Sequence, residues 1–155
     1  MQTLLTVIMA WLSINFSLPA IDEQPAVKFV SAEEMVAIRE GRLLSNGIQQ
    51  TAAQPGRSSP SAFSNEIYAF YDDSSGIIFL SDHWQITSPA DLSVLVHELT
   101  HHMQNIAGLK YDCPQAREKP AYEAQAAWLQ LFGKSLPDEF DVDPMTILVR
   151  THCMY

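Results

Sequence analysis

The sequence predicts a single α+β domain that is mostly helical and carries one small sheet. The chain has 155 residues, 47% of them hydrophobic, which suits one folded domain with a buried core. Helix-capping patterns followed by apolar residues at helical spacing recur along the second half of the chain. One pair of short β-branched and aromatic runs, separated by a turn, supplies the sheet.

The first 20 residues differ from the rest, because every Asp, Glu, Lys and Arg lies after Ala20. A largely apolar run, Leu4–Leu12, precedes small and polar residues, which is typical of a secretory signal peptide and too short for a bilayer span. We therefore expect residues 1–20 to be a signal peptide and residues 21–155 to be a single secreted or periplasmic domain. No stable membrane insertion is expected after cleavage. An N-terminal core helix and an uncleaved anchor remain open as alternatives.

The charge and the cysteine content limit which classes of partner and which cellular compartment the sequence fits. The chain carries 9 Lys and Arg against 18 Asp and Glu, and its cations do not cluster, which argues against a nucleic-acid partner. Its two cysteines, Cys113 and Cys153, would be paired in an oxidising compartment. Such a bridge would close a loop of about 40 residues and stabilise the fold by about 4 kcal/mol. Two separate buried thiols are the alternative.

The elements before the middle of the chain follow from local patterns. Ser31 with Glu34 predicts a capping box that opens a helix from Ala32 to about Arg42. A loop rich in Ser, Gln, Gly and Pro follows over Leu44–Asn65, and loops of this length are often functional or loosely ordered. Two β-branched and aromatic runs around a turn that contains glycine predict a β-hairpin, with strands at Ile67–Tyr71 and Ile77–Leu80.

Three more helices are predicted after the hairpin. Ser88, Pro89 and Asp91 form a strong N-terminal signature for a helix that continues to about Ile106. Caps, glycine stops and apolar spacing predict two others, from about Ala116–Lys119 to Phe132 and from Asp143–Pro144 towards His152. The middle one of the three has an apolar stripe expected to pack inward, made of Ala121, Ala124, Trp128, Leu131 and Phe132.

Residues 97–101 read His-Glu-Leu-Thr-His, the H-E-x-x-H pattern of zinc metalloproteases. Residues four apart on a helix differ by about 40° in azimuth and one turn in height, so His97 and His101 can bind one metal ion. Glu98 beside them can take a proton from an attacking water. The apolar residues of this helix that fall on the opposite side are Leu92, Leu95, Val96, Leu99, Met103 and Ile106. Two histidines on a solvated face are the plain alternative.

A zinc site needs a third protein ligand, and the downstream candidates are Asp112, Glu118 and Glu123. Glu118 is favoured because it lies on the side of its helix that carries the apolar stripe, where an unpaired carboxylate would be costly. Glu123 is next. An acid near a helix N-terminus is also favoured by the helix dipole alone. His102 points about 100° away from His101, which indicates a surface or supporting position.

The segment Arg117–Tyr122 (R-E-K-P-A-Y) resembles the R-E-x-x-A-D element of the gluzincin metallopeptidases. Together with the H-E-L-T-H motif, Val94–Leu131 is similar to small exported gluzincin-like proteins of unassigned function, which carry H-E-L-x-H-H-x-Q followed by E-K-x-A-Y-x-x-Q. The resemblance implies a zincin-like fold with the active-site helix beside the hairpin. It implies that His97, His101 and Glu118 bind Zn²⁺ and that Glu98 is the general base. Tyr122 occupies the position at which the family has Asp. The family role of that Asp, which is to hold a metal-binding histidine in place, is therefore not transferred to this chain.

The expected function is that of a zinc-dependent metallohydrolase, a peptidase by family resemblance, with a peptide or protein substrate. Ile77–Asp82 would be an edge strand that holds extended substrate by backbone pairing, although a purely structural hairpin explains the pattern equally well. Candidate oxyanion donors are Tyr122, which we place in the catalytic set, His83 and His152. Gln104 lies close to the histidine face, where it can support a ligand.

Two other functions stay open. One is an exported, zinc-stabilised binding module without catalysis, favoured by the small size of the domain. The other is a metal-free interaction protein in which the H-E-x-x-H pattern is coincidental.

Overall fold

The computed structural model describes residues 1–45 and 69–153. Their fold is α+β and mostly helical, as predicted. The helices are α1 (Gln2–Phe16), α2 (Ala32–Ser45), α3 (Pro89–Ile106), α4 (Pro114–Gln130), α5 (Leu136–Phe140) and α6 (Pro144–Thr151). The strands are β1 (Ala26–Val30), β2 (Ala69–Asp72) and β3 (Ile77–Ser81). Most of the predicted loop over Leu44–Asn65 falls on residues outside those described.

The sheet has the order β1–β3–β2, with β1 parallel to β3 and β2 antiparallel to it. The predicted hairpin is confirmed from Ala69 onward, while the predicted start of its first strand at Ile67 lies outside the described residues. Gly76 in its turn has a φ of 67°, a conformation that glycine adopts without steric cost. Strand β1 was not predicted. Its sequence, AVKFV, is short and mostly exposed, and its partner lies far along the chain.

The position of β3 corrects one expectation from the sequence. Because β3 pairs with β1 on one side and β2 on the other, its backbone is used within the sheet. The prediction that Ile77–Asp82 is an edge strand that binds substrate is therefore wrong. The strand at the edge of this sheet beside α3 is β2.

The helix caps form as the sequence predicts. The Ser31 amide donates to the Glu34 carboxylate at 2.9 Å, and the Glu34 amide donates to the Ser31 hydroxyl at 3.3 Å, although α2 extends beyond Arg42 to Ser45. Ser88 caps α3 by accepting from the Asp91 amide. Helix α4 begins earlier than predicted, at Pro114, and the short α5 was not predicted.

Helix α3 crosses the centre of the core. Leu95, Leu99 and Met103 are fully buried on the side predicted to be apolar. They belong to one cluster with Trp128 of α4 and with the buried residues of α1, which are Leu5, Ile8, Met9 and Leu12. Removal of residues 1–20 as a signal peptide stays a prediction, and the packing of α1 in this cluster fits the alternative of an N-terminal core helix. Within residues 1–45 and 69–153, no helix is both long and apolar enough to cross a membrane.

Three residues assigned to the core from periodicity lie at helix ends and are substantially exposed. Ile106 closes α3 and is 40% exposed, while Leu131 and Phe132, 63% and 49% exposed, follow the last turn of α4. The inward-facing prediction is wrong for these three, because periodicity alone does not show where the neighbouring element ends.

Candidate metal centre

The packing of α4 against α3 brings three donor side chains together. His97 and His101 lie one turn apart on α3, and Glu118 comes from the N-terminal part of α4. The two Nε2 atoms are 3.2 Å apart, and each lies 3.3 Å from Oε2 of Glu118. Among the described residues, this His/His/Glu group could hold a metal ion. The sequence predicted all three members.

The spacing of these atoms fits a tetrahedral metal site. Zinc binds imidazole nitrogen and carboxylate oxygen at about 2.0–2.1 Å, so two ligands of a regular tetrahedron lie about 3.3–3.4 Å apart. The three observed separations, 3.2 and twice 3.3 Å, are close to that edge length. The three donors therefore have the separations expected for one face of a tetrahedral metal site.

The tautomer of His101 follows from its hydrogen-bonded neighbours. The Gln104 amide nitrogen donates to the Arg117 carbonyl at 3.1 Å, and its Oε1 accepts from Arg117 Nε at 3.2 Å. This fixes the amide, so the group that faces His101 Nδ1 at 3.0 Å is an acceptor oxygen. His101 therefore carries its proton on Nδ1. The supporting position predicted for Gln104 is confirmed.

His97 is held in the same way by Gln125. The Ser93 hydroxyl donates its hydrogen to the Ala90 carbonyl at 2.6 Å, so it can only accept from the Gln125 amide nitrogen, which lies 3.4 Å away. That places Oε1 of Gln125 against Nδ1 of His97 at 3.1 Å. His97 is thus also protonated on Nδ1.

These tautomers leave both Nε2 lone pairs directed at a carboxylate oxygen. Three acceptors in mutual contact repel one another unless a cation or added protons lie among them. The imidazoles are largely buried, with side chains 12% and 9% exposed, so water screens this repulsion poorly. The donor set therefore fits a bound metal ion.

The ionisation of Glu118 suits a ligand. Burial raises the pKa of its carboxyl, but when the two imidazoles are protonated their hydrogen bonds and positive charges lower it more. The pKa of Glu118 is thus held well below its usual range. The carboxylate is charged whether protons or a metal neutralise the cluster.

Arg117 connects the cluster to the hairpin. Its guanidinium donates to both carboxylate oxygens of Asp73 at 2.8 and 2.5 Å, and it also donates to the His101 carbonyl at 3.2 Å. A bidentate pair of this kind fixes orientation as well as distance. Arg117 therefore sets the position of the α4 turn that carries Glu118 relative to α3 and the β2–β3 turn.

Glu98, the predicted general base, lies beside the cluster and is 8% exposed. Burial raises the pKa of its carboxyl, and the charge of Glu118 raises it further. A hydrogen bond from the Tyr71 backbone amide of β2 opposes this in part, as does the charge of His97 when that ring is protonated.

Tyr122 lies next to the cluster, with its ring in edge contact with His97 at 4.8 Å between centroids. Its hydroxyl accepts from Arg150 of α6 at 2.9 Å. His83 is exposed and pairs with Asp82, and His152 bonds to the Leu148 carbonyl on α6. Neither histidine belongs to the metal-ligand group.

Two residues weighed from the sequence have other roles. Glu123 is exposed and pairs with Lys119 at 4.0 Å, outside the donor group. His102 is 1% exposed, with Nε2 donating to the Glu23 carbonyl at 2.8 Å. The surface position considered for His102 is wrong, because this side chain is buried and anchors the segment before β1 to α3.

Gln125, like Arg117, has a role at the site that was not predicted from the sequence. It lies seven residues after Glu118, two helical turns along the same face of α4. That spacing is a signal that could have identified it. A buried polar residue on the helix face that also carries Glu118 is expected to have a polar partner.

The predicted disulfide is present between Cys113 and Cys153, with Cα atoms 5.9 Å apart. Cys113 is the N-cap of α4, and Cys153 follows α6. The bridge thus joins the start of the helix that carries Glu118 to the end of the helix that carries Arg150.

Most of the chain matches one known protein family. Residues 45–155 match the family described as a domain of unknown function, DUF6647, and the chain belongs to this family. No curated protein and no solved structure shows a significant match.

Glu118→Ala should abolish stoichiometric metal binding, because it removes one of three ligands. Glu123→Ala is the matched control and should keep about one metal ion per chain, since its carboxylate lies outside the cluster. The measurement is metal content after purification without chelator and after adding zinc back. Metal loss in Glu123→Ala alone would contradict this assignment.

Loss of the disulfide should weaken zinc binding by about tenfold, in the range seen when groups that support metal ligands are lost. The bridge restrains both the first turn of α4 and the helix whose Arg150 holds Tyr122 against His97. The double variant Cys113→Ser, Cys153→Ser tests this by competition with a chromophoric chelator. Serine keeps an N-cap acceptor on α4. Unchanged affinity would show that the bridge does not support the site.

Glu98→Gln should stabilise the metal-free protein increasingly as pH rises above 4.5, the ordinary glutamate pKa. Since folding raises the pKa of Glu98, the unfolded chain loses this proton first, and the free energy of unfolding falls with pH until the folded carboxyl also ionises. Glutamine has no such titration. Urea unfolding from pH 4 to 8, with chelator present and Glu123→Gln as the surface control, measures the difference. A constant difference across this range would refute the prediction.

Proposed function

We propose that this DUF6647 domain is a secreted or periplasmic zinc-dependent hydrolase that cleaves peptide bonds and has a zincin-like active site. The observation that carries the proposal is the convergence of two Nδ1-protonated imidazoles and one carboxylate at the edge length of a zinc tetrahedron, with Glu98 beside them. The resemblance of Val94–Leu131 to gluzincins supports the same function.

The donor set supports zinc as the metal and catalysis as its use. Two imidazoles and one carboxylate are ligands that zinc accepts, and structural zinc sites usually have four protein ligands. Here the described residues offer three, which leaves one coordination position for water or substrate. Glu118 is 36% exposed, so the cluster is accessible from its own side.

Each residue at the site would have a separate role in the reaction. Gln104 and Gln125 hold the imidazole rings with their Nε2 lone pairs towards the metal. Zinc, when bound, lowers the pKa of water and polarises a carbonyl group. Glu98 accepts the proton of the attacking water and returns it to the leaving amine. Its buried position keeps bulk water away from this transfer.

Tyr122 would donate a hydrogen bond to the oxyanion that develops on the substrate. The Arg150 guanidinium donates to the Tyr122 hydroxyl oxygen, so the hydroxyl hydrogen is free for another acceptor. The edge contact with His97 places the ring beside the cluster. Arg150 therefore acts as a positioning residue for Tyr122.

The compartment is inferred from two features. The Cys113–Cys153 disulfide fits an oxidising environment, where such bridges persist. The apolar N-terminal run with the first charges after Ala20 fits a signal peptide. Both support export, and N-terminal sequencing of the exported protein tests it directly.

Glu98→Gln should retain one zinc per chain yet lower hydrolysis of labelled, unfolded casein by about 10²–10⁴-fold, the range typical of general acid–base catalysis. Glutamine keeps the size of the side chain but cannot accept the proton. Glu123→Gln should match the unmodified protein in both zinc content and rate.

Equal turnover in Glu98→Gln and in the unmodified protein would contradict this mechanism. Zinc binding with no turnover in the unmodified protein would instead favour the non-catalytic binding module. Absence of zinc from the unmodified protein, even after it is added back, would overturn the proposed function.

A further inference from the structure

A groove of about 290 Å³ lies between α4 and α6. Its walls come from Tyr122 and Ala126 of α4, Leu136 at the start of α5, and Ile147 and Leu148 of α6. Tyr122 is shared, because the ring that lines the groove also contacts His97. The Tyr122 side chain is therefore a common neighbour of the groove and the cluster.

The geometry of α4 gives the direction from the metal cluster to the groove. Viewed along α4, Tyr122 lies about 40° and Ala126 about 80° from Glu118. Gln125 lies about 20° to the opposite side, towards His97. A ligand held at the cluster therefore reaches the groove by crossing Tyr122, on the flank of α4 that faces α6.

The lining of the groove favours an apolar occupant. Several polar groups in its lining have partners within the protein: the Thr151 hydroxyl donates to the Ile147 carbonyl at 2.8 Å, His152 Nδ1 bonds to the Leu148 carbonyl at 3.1 Å, and Lys119 pairs with Glu123 at 4.0 Å. The Tyr122 hydroxyl oxygen accepts from Arg150. The groove therefore offers apolar contact rather than an unsatisfied charge.

Its size suits one side chain. Pockets for drug-sized ligands range from about 300 to 1,000 Å³, and an apolar cavity of about 150 Å³ accommodates benzene. A groove of about 290 Å³ thus has room for one large aliphatic or aromatic group.

On the basis of the proposed function, we infer that this groove binds an apolar side chain of the substrate next to the scissile bond. Tyr122 separates the groove from the reacting centre, and Ala126 and Ile147 set its depth. Substrates with a large apolar residue at this position are preferred over those with glycine or an acidic residue.

Binding of hydroxamates to the zinc-loaded protein tests the groove without requiring turnover, because a hydroxamate binds zinc directly. Calorimetry compares N-acetyl-glycine, N-acetyl-leucine and N-acetyl-aspartate hydroxamates. The leucine compound should bind about tenfold more tightly than the glycine compound, since its side chain is removed from water. The aspartate compound should gain nothing over glycine.

Three variants link this preference to the groove. Ala126→Phe fills it and should remove the leucine preference while leaving the affinity for the glycine compound unchanged. Ile147→Ala enlarges it and should shift the preference from leucine to phenylalanine hydroxamate. Val149→Ala is the matched control, because Val149 is an exposed α6 residue outside the groove lining, and it should leave the leucine preference intact.

Different results would overturn the groove assignment and the proposed function. Equal affinity for the glycine and leucine compounds would overturn the groove assignment while leaving the zinc site intact. A leucine preference that persists in both Ala126→Phe and Ile147→Ala would also overturn it. Failure of every hydroxamate to bind the zinc-loaded protein would overturn the proposed open site, and the groove assignment with it.

Discussion

Two imidazole nitrogens and a carboxylate oxygen lie within 3.2–3.3 Å of one another, and the surrounding structure is arranged to keep them there. Each of these atoms is an electron-pair donor, so their contact is unfavourable unless positive charge lies among them. The fold supplies the opposing constraint through two helices in contact, two buried amides and a bidentate ion pair. The cluster is thus a preorganised arrangement in which the cost of bringing the donors together is met by folding rather than by metal binding.

The packing of α4 on α3 shows how closely the fold and the site are connected. One face of α4 carries a ligand, an amide that orients a ligand, and an aromatic ring against a ligand, in Glu118, Gln125 and Tyr122. The adjoining face is apolar and enters the core through Ala121, Ala124 and Trp128. Rotation of α4 would therefore disturb the hydrophobic core and the site together. Arg117 and the Cys113–Cys153 bridge fix the start of the helix against such movement.

Local chemistry explains which features could be predicted from the sequence. The H-E-x-x-H spacing on a capped helix predicted the metal group, and the apolar stripe of α4 favoured Glu118 over Glu123. The cysteine pair and the hairpin also follow from local patterns. Strand β1 could not be predicted, because its partner β3 lies about 50 residues away and such pairing leaves little trace in a short, exposed segment. The buried role of His102 likewise depends on the Glu23 carbonyl, which only the tertiary fold brings near.

The use of amides rather than carboxylates to orient both histidines affects the charge of the site. A carboxylate hydrogen-bonded to Nδ1–H adds a full negative charge near the metal and raises the basicity of the imidazole. Gln104 and Gln125 fix the same tautomer without that charge, so Glu118 is the one anion among the groups that contact the ligand nitrogens in the described part of the chain. A dication in this site would then keep more of its positive charge for polarising a bound carbonyl. The same neutrality makes metal retention depend more on rigid placement of the ligands, which is the role of the α3–α4 contact, Arg117 and the disulfide.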